Sequence, residues 1–168
     1  MARDADLNDR LARLRADFDG AFALPRAAAP AATTELLLVR SGEARLALRL
    51  DGLSWVGPAP RIVRVPGGRP ELVGLSVVRG RTVAVFDLAR LASRAGGAVA
   101  SLALMRADPS VAIGFTEIEA RGAVLDQHTG MDDDVVTNLL PSEGGTREVV
   151  NLSTLLGRIR AGAAGEIA

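Results

Sequence analysis

The chain has 168 residues and contains no cysteine, no lysine and no tyrosine; its single histidine is His128. Without cysteine there is no disulfide, no thiolate nucleophile and no cysteine metal site. Aromatic residues make up only 3%, too few for a surface that stacks nucleobases. Neither sign of charge is in excess. The 20 basic and 20 acidic residues cancel, which argues against a dedicated nucleic-acid partner. No apolar run approaches the roughly 18 residues that a membrane-spanning helix needs, so direct membrane insertion is not expected. The N-terminus, MARDADLNDR, has acids where a signal peptide would be basic and then apolar. The expected location is cytoplasmic.

What is present is an ordinary globular mixture, 48% apolar and 24% charged. Leu7, Leu11, Leu14, Phe18 and Phe22 recur at helical steps, which predicts an amphipathic helix over residues 1–24 ending before Pro25. Its apolar face either packs on the protein's own domain or docks on a partner. Residues 25–34, PRAAAPAATT, read as a Pro/Ala linker. The folded body is expected over 35–168.

In the body the apolar period shortens to two. Leu46, Leu48 and Leu50 alternate with polar or small residues and, with Leu36 to Val39 before them, predict a β-hairpin. Further strands are expected over 53–56, 61–65, 72–78, 81–86, 99–106, 111–115, 118–125 and 147–150. Asp87 before Leu88, and Asn151 or Ser153 before Leu155, read as helix caps. Asp132 to Asp134, followed by Val135 to Leu140, read as a short helix with acids at its start. Short strands separated by turns indicate small barrels. The predicted fold is mainly β, with two interlocked barrel lobes and short helices.

Candidates for chemistry are few. His128 with Asp126 and the Asp132–Asp134 run is the sole grouping that resembles a catalytic or metal site. One histidine without cysteine is a poor zinc set, and the acids lack the spacing of a calcium loop. No G-x-S-x-G and no P-loop occur. No catalytic residue, cofactor or metal is therefore expected. Two features suggest a binding surface instead. Arg79-Gly80, followed by Arg81, sits between two apolar strands, where an arginine fork can pair with a carboxylate. Trp55, the lone tryptophan, is either core or an interface anchor.

Residues 72–92, LVGLSVVRGRTVAVFDLARLA, resemble the signature of the CheW-like domain, with Gly74, Arg79, Gly80, Asp87 and Leu88 at its spacing. That family comprises bacterial chemotaxis coupling proteins and the regulatory domain of their histidine kinases. The hairpin Leu36–Leu50 is similar to its opening strands, and Val149 to Leu156 to its closing strand and helix. The resemblance covers about residues 35–160 and implies two SH3-like five-stranded β-barrels. It also implies a non-catalytic adaptor whose partners are a chemotaxis histidine kinase, through its regulatory domain, and the cytoplasmic tip of a methyl-accepting chemoreceptor. By position, Arg79, Gly80, Val77, Val78 and Trp55 would lie at the partner surface. The family's acidic partner for the motif arginine falls at or near Trp55, and no acid occurs between Asp51 and Glu71. A module that binds a different partner through its N-terminal helix is the alternative.

Overall fold

The computed structural model describes residues 33–125, 135–142 and 145–164. The predicted N-terminal helix with Leu7, Leu11, Leu14, Phe18 and Phe22, most of the linker, and the cluster at Asp126, His128 and Asp132–Asp134 lie outside the described residues.

The apolar alternation around Leu46 and Leu48 produces the opening hairpin, β1 (Thr33–Ser41) and β2 (Ala44–Arg49), in antiparallel register with Leu37 opposite Leu48. β1 begins at Thr33, so the last two residues assigned to the linker are already in the sheet. A one-turn 3-10 segment, Leu50–Gly52, then leads into β3 (Leu53–Pro58). β4 (Leu72–Val78) and β5 (Arg81–Asp87) form a second hairpin, followed by the one-turn helix α1 (Leu88–Leu91). β6 (Ser101–Met105), β7 (Val111–Phe115), β8 (Glu117–Leu125), β9 (Val136–Ser142), β10 (Gly145–Val150) and α2 (Leu152–Ala164) complete the order.

Two five-stranded sheets result, in the orders β8-β1-β2-β10-β9 and β3-β6-β7-β5-β4. The second is contiguous in sequence. The first opens with β1 and β2 and is finished only when the chain returns with β8 to β10. Reading the first sheet from β8, through β10, and then to β1 and β2 gives the same spatial order as the second sheet. The parallel pair falls at the same place in both, β10 on β2 and β5 on β7. In both, the strand of that pair that comes third in this reading runs straight into a helix. The halves are therefore circularly permuted versions of one topology, which agrees with the two barrel lobes expected from the strand pattern and with the SH3-like form that the resemblance implies.

The helix after each of those strands is capped alike. Asp87 accepts hydrogen bonds from the backbone N–H groups of Ala89 (2.9 Å) and Arg90 (3.3 Å). Asn151 accepts from those of Ser153 (3.1 Å) and Thr154 (3.2 Å). Asn151, not Ser153, is the cap. α2 runs on to Ala164.

The main core is shared by both sheets and both helices. It joins Leu46 and Leu48, Leu88 and Leu91, Met105, Ile113 and Phe115, and Leu155 and Ile159. A second cluster, Val78, Val83, Val85, Leu102, Leu104 and Ala112, fills the second sheet's own interior. The buried Arg147 forms an ion pair with Glu119, joining β10 to β8.

Two expectations fail. Residues 135–140, read as a helical turn, lie largely in β9, whose Leu140 pairs with Arg147 of β10. Acids before Val-Val and Leu-Leu suit either element locally, and the strand pairing decides. β9 is an edge strand, which is why it accommodates Pro141. Residues 61–65, read as a strand, make one isolated bridge, Val63 to Leu75, and otherwise run as a strap beside β4.

That strap explains Gly74. A Cβ there would lie 2.2 Å from the Val63 carbonyl oxygen, and the φ of +153° is one that side-chain-bearing residues rarely adopt. Gly74→Ala is expected to destabilise the protein by about 1–3 kcal/mol, measured by denaturant unfolding, because backbone rather than a flexible side chain must move. Asp87→Ala removes a buried acceptor of several N–H groups and is expected to cost about 2 kcal/mol, with Asp87→Asn less damaging because it keeps the capping oxygen.

Candidate functional site

Val78 and Arg81 pair across the β4–β5 hairpin, leaving Arg79 and Gly80 as a two-residue loop. Their φ angles are +51° and +77°, the signature of a type I′ turn. Glycine adopts this conformation freely; arginine does so at a cost of about 1–2 kcal/mol. The right-handed strand twist demands the turn, and the sequence places an exposed arginine in it.

The strand leading to that turn sorts its side chains by alternation. Leu75 and Val77 point to solvent, Val77 with 59% of its surface exposed. Ser76 and Val78 point inward. Val78, at 2% exposure, belongs to the second cluster and presents no side chain to a partner, so of the two strand-end valines only Val77 can do so. Trp55 is half-buried against that same cluster, alongside Ile62 and Val73. Its ring lies over Gly57, where a Cβ would come within 2.5 Å of the indole. Core filling accounts for most of Trp55, and the structure does not place it in the groove described next.

Sequence reading missed the strap's part in this surface. The reciprocal backbone hydrogen bonds between Val63 and Leu75, both 2.8 Å, dock the strap on the outer edge of β4. The Ser76 hydroxyl donates to the Arg61 carbonyl at 3.0 Å and fixes the strap's beginning. Between strap and strand runs a groove of about 450 Å³ lined by Pro60, Arg61, Val63, Leu75, Ser76, Val77 and Thr82. Val63 is as exposed as Val77. The sequence signals for this surface were the Arg79–Gly80 turn and the absence of an acid between Asp51 and Glu71.

A second cleft, of about 500 Å³, is lined by Thr33, Thr34, Glu35, Arg49, Leu50, Asp51 and Arg106. Its charges are satisfied internally. Arg49 pairs with Asp51 at 2.9 Å and holds that carboxyl below its ordinary range. Arg106 donates to the Asp51 and Leu53 carbonyls, both at 2.7 Å. Such a cleft has little left to offer a ligand. Among the described residues no three histidine or acidic side chains are grouped to hold a metal ion. No helix there is long and apolar enough to cross a membrane.

Comparison with known proteins adds the family. None of the curated proteins compared matches the chain. Among solved structures, the crystal structure of the scaffolding protein TtCheW from Thermoanaerobacter tengcongensis is similar in fold, with a TM-score of 0.61 at 12% identity. The match covers 74% of this chain and 92% of that one. The sequence pattern of the CheW-like domain matches residues 35–160. With the match spanning both sheets and most of α2, the chain belongs to the CheW-like domain family.

Proposed function

We propose that this protein is a non-catalytic adaptor of a bacterial chemosensory complex, cytoplasmic, joining chemoreceptors to a histidine kinase. Family membership supports an adaptor role, and the fold neighbour is itself a scaffolding protein. The observation that carries the reading is local: an exposed arginine held at positive φ on the tip of a hairpin whose outward face is apolar. Backbone strain at an exposed arginine supports a role in binding for its side chain. An exposed apolar strand face beside a planar, multidentate cation suits protein recognition.

Titration calorimetry of the full chain with the full-length kinase, and with the receptor's cytoplasmic domain, tests the reading. Micromolar binding to at least one is expected; binding to neither would sink it. Arg79→Asn separates the local roles. Asparagine tolerates the left-handed conformation, so the variant is expected to be more stable by about 0.5–1 kcal/mol in denaturant unfolding. It is also expected to bind the kinase about 1–3 kcal/mol more weakly, through loss of the charged fork. Unchanged affinity would leave Arg79 as a turn residue only.

A further inference from the structure

We propose that the groove between β4 and the strap receives an apolar segment of a partner protein that bears carboxylates, selected by four arginines of this chain. For the partner's identity, though not for the surface itself, this rests on the adaptor reading.

The surface is unlike the rest of the described protein. Elsewhere arginines are matched: Arg40 with Glu117, Arg94 with Glu148 at 2.6 Å, Arg121 with Glu35 at 3.4 Å, and Arg160 with Asp108 at 3.0 Å. Arg61, Arg64, Arg79 and Arg81 are exposed and have no ion-pair or hydrogen-bond partner for their guanidinium groups among the described residues. Arg61 lines the groove, Arg64 follows its Val63, Arg79 lies in the turn just beyond its Val77, and Arg81 follows that turn. The groove lining itself contains no carboxylate. The exposed valines and Leu75 supply apolar area, and the arginines set the sign of what covers it.

The edge of β4 limits the shape of the occupant. The strap pairs with β4 at Val63–Leu75 alone. Val77, two residues on, has the same outward register, and the strap makes no bridge to it. An extended segment alternating apolar and acidic residues matches that spacing, with apolar side chains in the groove and carboxylates toward the arginines. A cationic or nucleic-acid occupant does not fit: the first is repelled, and the second has no aromatic platform to stack on.

The experiment uses the full chain, a synthetic Val/Glu-alternating peptide, its Val/Lys counterpart, and the full-length kinase. NMR shifts on titration with the Glu peptide are expected at residues 61–65 and 75–82, with none from the Lys peptide. The variant R61E/R64E/R79E/R81E changes only exposed side chains; its fold is checked by circular dichroism. It is expected to lose at least about tenfold in affinity for the peptide and the kinase, and raising salt should weaken the wild-type complexes by a similar factor. Salt dependence is read on the unaltered protein, so it stands even if the variant misfolds.

Equal response to both peptides, shifts mapping elsewhere, or affinity indifferent to salt and to charge reversal overturns the proposal. Self-association of the wild-type chain that the reversal abolishes overturns it too, by assigning the groove to a second copy. A kinase that binds the reversed variant normally removes the proposal and leaves the adaptor reading. A Glu peptide that seats in the groove while neither kinase nor receptor binds does the opposite.

Discussion

One buried carboxylate holds the junction of this molecule together. Asp87 is 3% exposed and ends β5. A charge so placed is tolerable only when fully hydrogen-bonded. One oxygen accepts from the N–H groups of Ala89 and Arg90 at the start of α1. The other accepts from Gly97 at 3.2 Å and lies 3.7 Å from the Arg90 guanidinium. The carboxylate thus pins a strand end, a helix start and the returning loop at once. That loop must be glycine, since a Cβ on Gly96 would lie 2.6 Å from the Asp87 carboxylate, and one on Gly97 would lie 2.7 Å from the Gly42 backbone. Gly42 belongs to the β1–β2 turn of the other sheet, and Ser41 beside it accepts from the Ala89 N–H at 3.2 Å. Through Asp87 the hairpin bearing Arg79 is tied to both halves of the fold.

The permuted topology makes that tie necessary. The second sheet closes with residues 53–115, whereas the first needs strands from both ends of the sequence. The main core is shared by the two sheets, and each sheet adds a smaller cluster of its own. The Arg94–Glu148 pair and the Thr116 N–H donating to the Arg40 carbonyl at 2.9 Å stitch the same seam. Rigidity at the seam matters for an adaptor, because a surface held on a fixed frame gives up less conformational entropy when it binds.

The elements legible in the sequence were those whose cause is local. The alternation at Leu46 and Leu48, the Arg79–Gly80 turn, and the caps Asp87 and Asn151 are each set by residues within a few positions. The failures were set by distant chain. Residues 136–142 become a strand because β10 lies beside them, and 61–65 do not become one because only Val63 reaches β4 in register. Gly74 stood out as a motif glycine, yet its reason, the Val63 carbonyl, is eleven positions away and visible only in three dimensions. Val78 was grouped with Val77 at the surface because spacing alone does not say which face of a strand is outward. The groove was hidden for the same reason, its arginines being split between strap and hairpin.

The zero net charge of the whole sequence therefore conceals a polarised surface. Overall neutrality excludes a field that would attract polyanions at long range, but it says nothing of a patch smaller than the screening length, about 8 Å at physiological salt. At that range the count that matters is local. Around Val63, Leu75 and Val77 it is positive with no described carboxylate in the groove lining, whereas in the cleft near Arg49 and Asp51 it is balanced. The absence of any acidic residue between Asp51 and Glu71 is part of this difference. An internal partner would fix the Arg79 side chain against its own barrel. Without one, the guanidinium remains solvated and available, and its desolvation on binding is offset only by a partner that brings the missing charge. Specificity then comes from rejecting every apolar edge that does not carry an acid in register, which is a sharper filter than apolar contact alone.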